Sequence, residues 1–172
     1  MKAMVLGRLA ILVVAMVAVA AQIVAQQIAA QTAISQRLVV VSLEDRKLAL
    51  VEDGQVKKIY TVAVGKPSTP SPEGTFTIER RVANPIYRHD GKVVMPGPHN
   101  PVGSRWMGLS IRGYGIHGTN EPNSIGKAAS HGCIRMRNRD VEELFELTPV
   151  GVAVELIGER SELFQKILAV AD

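Results

Sequence analysis

The chain has 172 residues, one cysteine, and 20 basic against 16 acidic side chains, a formal charge of +4. That length bounds it to one domain of ordinary size, and a lone cysteine excludes an internal disulfide. Without Lys2 and Arg8 the remainder carries 18 basic and 16 acidic groups, a balance that gives no reason to expect a nucleic-acid partner.

Lys2 and Arg8 flank an unbroken apolar run from Leu9 to Ala21, the length of a signal-peptide h-region. Ala18-Val19-Ala20 offers a small-x-small cleavage site, and Gln22 to Ser35 is polar and alanine-rich, without turn chemistry. The sequence therefore predicts a signal peptide or membrane anchor over 1–25 and a connector over 26–35. Arg8 leaves the apolar run short of the roughly 20 residues that span a bilayer, although Ile23 to Ala25 could extend it. A cleaved leader, an uncleaved anchor and a buried helix stay open, with export the preferred reading. In an oxidising compartment a lone cysteine is either buried and inert or kept for its reactivity.

From Gln36 onward strands come first. Leu38 to Leu43 and Lys47 to Val51 are aliphatic runs, and Asp53-Gly54 is a favoured two-residue hairpin turn. Val56 to Val64 puts Tyr60, Val62 and Val64 on one face. Lys66 to Glu73 holds Pro67, Pro70 and Pro72, which cannot donate to a ladder, and reads as loop. Gly74 opens a strand over 75–79. The connector from Asn84 to Pro101 is long, proline-rich and holds His89 and His99; it reads equally well as a cleft wall and as plain surface loop. Asn138 is the expected N-cap of a helix with Val141, Leu144 and Phe145 at helical spacing, stopped by Thr148-Pro149. Val152 to Ile157 is a last strand. A tail helix over 159–172 offers Leu163, Phe164, Ile167 and Leu168 for packing. Many short strands and one helix predict a mainly β domain.

Between them lies Ile111 to Asn138, with two of the four histidines and the only cysteine. Taken as strands, Ile111, Gly113, Gly115 and His117 share one face, and so do His131, Cys133 and Arg135, while Ile134 and Met136 turn into the core. The loop Thr119 to Ser130 is rich in turn formers that could fold the two strand ends together. A thiol with a pKa of roughly 8.5 is only a few per cent thiolate at neutral pH, so a nucleophilic role requires a nearby imidazole.

Ser130-His131-Gly132-Cys133, followed by Ile134-Arg135-Met136 and Asn138, with His117-Gly118-Thr119 upstream and Ser124-Ile125-Gly126-Lys127 between, resembles the catalytic signature of the L,D-transpeptidases of the YkuD type. The resemblance extends to Gly65 and to Thr69 through Gly74, and covers about 36–158. It implies a β-sandwich-like catalytic fold with one helix beside the active site. It also implies Cys133 as nucleophile, His117 as the base, and the Gly118 carbonyl as a group to orient the ring. Backbone N–H groups around His131, Gly132 and Cys133 are candidates for the oxyanion. His131 could itself be the base; the motif favours His117 and gives His131 a supporting role, with Ser130 securing the turn. Arg135, by strand parity on the face of Cys133, is the candidate for a substrate carboxylate.

The partners so implied are peptidoglycan peptide stems, with another stem, a wall-attached protein or water as acceptor. Membrane contact is expected only through the N-terminal segment if it stays uncleaved, and the expected location is the periplasm or the wall side of the cytoplasmic membrane. No cofactor is expected. His117, His131 and Cys133, with His89 or His99, are zinc-ligand types, but the recurrent pairings of a structural zinc site are absent from the sequence, so no metal is expected. A wall-binding module without activity is the remaining alternative, and both His117 and Cys133 speak against it.

Overall fold

The computed structural model describes Met16, residues 18–27, residues 37–158 and Phe164. The chain divides into two units, Met1–Ser35 and Gln36–Asp172. In the first, residues 18–27 are helical; among the described residues no helix is long and apolar enough to cross a membrane. Most of the expected leader (1–25), most of the connector (26–35) and all of the tail helix except Phe164 lie outside the described residues.

Among the described residues the second unit has twelve strands, an α-helix and the 3-10 turn Pro122–Ser124: β1 (Arg37–Ser42), β2 (Lys47–Glu52), β3 (Gln55–Thr61), β4 (Val64–Gly65), β5 (Gly74–Ala83), β6 (Tyr87–His89), β7 (Lys92–Val94), β8 (Arg105–Leu109), β9 (Gly115–His117), β10 (Ala128–Ser130), β11 (Ile134–Arg135), α1 (Asn138–Leu147) and β12 (Ala153–Ile157). Eight strands form one sheet in the order β11-β9-β8-β5-β12-β1-β2-β3, and β10-β4 and β6-β7 are separate pairs. Most neighbours are antiparallel; β1 with β12, β9 with β11 and β4 with β10 are parallel.

The first hairpin follows from local chemistry. Asp53 and Gly54 both have positive φ, 52° and 73°, the backbone of a two-residue turn whose twist matches the flanking strands. Val39, Val40 and Val41 of β1 are all fully buried, so this strand is covered on both faces. Val40 and Ala49 form a cluster with Phe164, flanked by Leu38, Val51, Val56, Ile59 and Ile157. On α1, Val141 and Leu144 are the buried residues. The Arg81 guanidinium of β5 lies 3.9 Å from the centroid of the Phe145 ring and also donates to the Phe145 carbonyl, tying helix to sheet.

The sheet does not end in two free edges. Ala63, two residues past β3, exchanges both backbone hydrogen bonds with Arg135 of β11, at 2.8 and 2.9 Å. The eight-stranded sheet is thereby curled until its two ends meet, and Ile134 and Met136 point into the core, both essentially unexposed.

Three expected segments differ. β5 runs on to Ala83, about four residues beyond the strand expected over 75–79. The long connector contains the hairpin β6-β7, turning at Asp90-Gly91 with φ of 46° and 75°, the same turn chemistry as Asp53-Gly54. Its stem is fastened by Asn100, fully buried, whose Nδ2 donates to Pro85 O (2.7 Å), Val94 O (3.4 Å) and Met95 O (3.3 Å) while its Oδ1 accepts from Val102 N (3.0 Å). Residues 110–114 are not strand: Ser110 to Gly113 form bend and turn, and Tyr114 N–H closes on Ile111 O at 3.3 Å.

Phe164 covers the outer face of β1 and β2, so truncating it leaves a cavity over Val40 and Ala49. Phe164→Ala is expected to lower unfolding free energy by about 3–5 kcal/mol, read from urea melts; a loss below about 1 kcal/mol would mean that the outer face is closed by other residues.

Candidate active site

The site is assembled where β9 and β11 run side by side. Arg135 pairs with His117 and Ile134 with Ile116. One residue before β11, Cys133 continues that register beside Gly115, whose backbone N–H reaches the sulfur. Cys133 and His117 therefore project from the same face of adjacent parallel strands, two residues apart along them. The Cys133 thiol donates to Gly113 O at 3.7 Å.

His117 is 5% exposed and held on every side. Its ring stacks on Trp106, its neighbour across β8-β9, with centroids 5.3 Å apart and planes 21° from parallel. Gly115 makes room for that indole: a Cβ there would stand 2.8 Å from Trp106 Cζ2 and 2.7 Å from Met107 O. His117 Nδ1 lies 2.5 Å from Gly118 O. A carbonyl only accepts, so Nδ1 carries the proton and Nε2 is left as the acceptor. Burial lowers the His117 pKa to about 4; the Gly118 carbonyl works against that and the Arg135 guanidinium adds to it. Burial pushes the Cys133 thiol up, opposed by the Gly115 N–H and by Arg135. Both shifts favour the uncharged forms, imidazole and thiol.

The turn before Cys133 is fixed by Ser130, buried, whose Oγ donates to Cys133 O (2.6 Å) and accepts from Gly132 N (3.0 Å). Gly132 has φ +110°, and a Cβ there would lie 2.6 Å from Tyr114 Cε1; no other residue fits the position without displacing the tyrosine. Because the Gly132 N–H is bonded to Ser130, the oxyanion candidates narrow to the N–H groups of His131 and Cys133. His131 to Cys133 form a bend rather than strand, so the alternation expected from His131 through Arg135 holds only from Cys133 onward. His131 is exposed, with Nε2 3.4 Å from Lys66 Nζ.

Arg135 is already occupied. Its Nη1 lies 2.7 Å from Glu121 Oε2 and its side chain is 16% exposed; Glu121 is steadied by its own N–H on Thr119 Oγ1 at 3.0 Å. Arg139, by contrast, has a side chain 92% exposed, and Arg137 is exposed too. His89 pairs with Asp90 at 3.2 Å, and the His99 carbonyl accepts from Asn120 Nδ2 at 3.1 Å. Among the described residues no group of three His, Cys, Asp or Glu is placed to hold a metal.

Asn138 is not the helix N-cap. Arg137 holds that position without a side-chain cap, and Asn138 is the first helical residue. Its Oδ1 turns back to accept from Ser104 N and Thr119 N, both at 3.2 Å. Trp106, Glu121, Lys66 and this use of Asn138 were not legible in the sequence.

A curled, mainly β domain carrying a buried histidine on one strand and a cysteine at the head of the adjacent parallel strand defines a class of catalytic domain. The family model described as the YkuD L,D-transpeptidase catalytic domain matches residues 36–156. Two curated relatives are a putative L,D-transpeptidase YqjB of Bacillus subtilis, 41% identical over 75% of this chain and 75% of its own, and a putative L,D-transpeptidase YkuD of Bacillus licheniformis, 46% identical over 69% of this chain and 64% of its own. Among solved structures, the catalytic domain of the Enterococcus faecium L,D-transpeptidase superposes with a TM-score of 0.59 at 27% identity, over 70% of this chain and 96% of that one. An L,D-transpeptidase of Mycobacterium smegmatis, at 20% identity and TM-score 0.61 over 71% of this chain and 58% of that one, shares the fold. The chain belongs to the L,D-transpeptidase catalytic domain family and has its fold. It spans about two thirds to three quarters of the length of these curated relatives.

The buried neutral His117 makes a pH signature. Its folded pKa, about 4, lies below the unfolded value of about 6.5, so as pH falls the unfolded chain takes up the proton first. The associated stability is complete above about pH 6.5 and is lost between there and about pH 4, on the order of 3 kcal/mol in all. Urea melts at pH 7 and pH 4 of wild type and His117→Gln should differ by that pH-dependent part; equal pH dependence in both would show that the imidazole is not buried neutral.

Proposed function

We propose that this chain is an exported L,D-transpeptidase that acts on peptidoglycan stem peptides through a thioester on Cys133. The observation that carries the reading is the register of β9 and β11, which sets Cys133, one residue before β11, on the same face as His117, whose Nδ1 proton is committed to Gly118 O, so that Nε2 is the basic nitrogen. A solved relative at 27% identity is a carbamoyl enzyme formed with avibactam, which supports covalent chemistry in the family.

In the first step the Cys133 sulfur attacks the carbonyl of the third stem residue while its proton passes to His117. The negative charge on the carbonyl oxygen is met by backbone N–H groups of His131 and Cys133. The tetrahedral intermediate collapses, the C–N bond to the terminal D-alanine breaks, and the imidazolium protonates the departing amine. An acceptor amine of another stem then attacks the thioester, gives its proton to His117, and releases the thiol, leaving a 3→3 cross-link. A protein amine in place of the stem would attach that protein to the wall, and water would make the same site a carboxypeptidase or cross-link hydrolase.

A neutral resting pair, with the imidazole pKa low and the thiol pKa high, favours proton transfer that accompanies attack over a preformed ion pair. Arg135, beside His117 in the register, would receive the donor carboxylate after that carboxylate displaces Glu121.

Incubation of the full chain with purified wall fragments, with products identified by mass, tests the reading. Wild type should give cross-linked or D-alanine-trimmed stems, Cys133→Ala none, and His117→Ala a rate lower by about 10²–10⁴-fold. On one defined donor, Arg135→Ala should cost about 1–3 kcal/mol, more than Arg137→Ala or Arg139→Ala. Activity persisting in Cys133→Ala would move the nucleophile elsewhere, and equal losses at the three arginines would mean a diffuse basic field.

Export rests on Lys2, Arg8, the apolar run and Ala18-Val19-Ala20. Cell fractionation should recover the protein outside the cytoplasm or on the membrane; intact full-length protein confined to the soluble cytosol would overturn it.

A further inference from the structure

We propose that Asn138 is a positioning residue for His117: one side-chain oxygen, inserted into a slot formed by two glycines, fixes the backbone that sets the histidine tautomer. This rests on the reading of His117 as the base.

The chain of contacts is short. Asn138 Oδ1 accepts from Thr119 N and from Ser104 N, both at 3.2 Å. Thr119 N belongs to the peptide unit that also contains Gly118 O, so the bond at Thr119 orients the same rigid plane. Gly118 O in turn accepts from His117 Nδ1 at 2.5 Å. The strand on the other side is locked as well, since Gly118 N donates to Arg105 O at 3.1 Å and His117 O accepts from Met136 N at 2.8 Å. The Asn138 oxygen thus stands one peptide plane away from the proton that decides which ring nitrogen is basic.

The packing around that oxygen is specific. A Cβ on Gly118 would stand 2.1 Å from Asn138 Oδ1, and so would a Cβ on Gly103, which also has φ +61°. Both positions leave room for the amide where any other residue would fill it. The helix, meanwhile, begins without a side-chain cap at Arg137, although asparagine is a favoured capping residue. Asn138 sits one position into the helix and turns its oxygen to the loop that carries His117.

The same brace reaches the other half of the site. Thr119, whose N–H is bonded to Asn138, holds Glu121 N through its Oγ1 at 3.0 Å, and Glu121 holds Arg135. A loosened Thr119 peptide would therefore disturb imidazole and guanidinium together.

Alkylation of Cys133 by iodoacetamide, followed by intact mass, reads thiol activation without any wall substrate, and ¹⁵N shifts of the ring nitrogens read the tautomer of His117. In Asn138→Ala the alkylation rate should fall by about 10- to 100-fold, toward that of His117→Ala, and the ring should change from Nδ1–H to a mixture of tautomers. Asn138→Asp, whose carboxylate oxygen can accept the same two N–H groups, should stay within about threefold of wild type and keep the Nδ1–H form. Should Asn138→Ala fail to fold, Asn138→Ser, with its oxygen too short to reach both N–H groups, is read by the same two criteria. Wild-type rate and tautomer in the folded Ala or Ser variant would overturn the proposal, as would a loss in Asn138→Asp equal to that in Asn138→Ala. A His117→Ala variant that alkylates at the wild-type rate would instead overturn the assignment of the base.

Discussion

The paired hydrogen bonds between Ala63 and Arg135 govern the geometry of this domain, because they join the two ends of an eight-stranded sheet. An open edge at β11 would leave a two-residue strand held only by β9, too little to fix a nucleophile. The segment after β3 instead runs between two partners. Val62 O and Val64 N bond to Gly126 N and Lys127 O on one side, while Ala63 bonds to Arg135 on the other. Lys66 N continues the contact to Ser130 O at 3.0 Å. The loop that returns from His117 to Cys133 is thus pinned at several points by one stretch of backbone. Closure of the curl and construction of the site are one event, and each stabilises the other.

Around His117 the structure gives up solvation to obtain a defined proton inventory. Burial makes the charged ring costly, the Arg135 guanidinium adds to that, and the Gly118 carbonyl restores only part of it. A base with a low pKa is a weak one, and an unionised thiol is a weak nucleophile. Their juxtaposition nevertheless suits a reaction in which the substrate completes the site, since the charge that develops does so beside backbone dipoles already fixed in place. The Trp106 indole is why Gly115 has no side chain: the strand that carries the histidine has to let its neighbour's ring lie flat across it.

Much of this was written locally. Alternating aliphatics and Asp53-Gly54 predict the first hairpins, and placing Ile134 and Met136 in the core follows from strand parity alone. The Cys133 and His117 pairing was legible as a motif. What failed did so for identifiable reasons. Parity carried back from Arg135 to His131 breaks at Gly132, whose φ of +110° takes the backbone out of the strand region. The Ile111 to Gly113 alternation is interrupted by a turn that brings β8 and β9 together. Asp90-Gly91 carried the same signal as Asp53-Gly54 but was masked by the prolines around it. Trp106 lies opposite His117 only once the β8-β9 register is known. Asn138 obeys its local preference for a helix start to within one residue, yet its oxygen bonds to groups 34 and 19 positions upstream, which no local rule encodes.

The slot shared by Gly103, Gly118 and Asn138 has a consequence for how this sequence can change. A methyl group at either glycine would coincide with the amide oxygen, so the cost of a substitution at one of the three depends on what occupies the other two. Single replacements at the glycines are penalised by the asparagine, and shrinking the asparagine opens a void that neither glycine can fill without meeting the nearby backbone. The three positions therefore form an epistatic unit spread over 36 residues of sequence. A library that varies the two glycines one at a time would find only losses there, even if a jointly altered set could support the same loop.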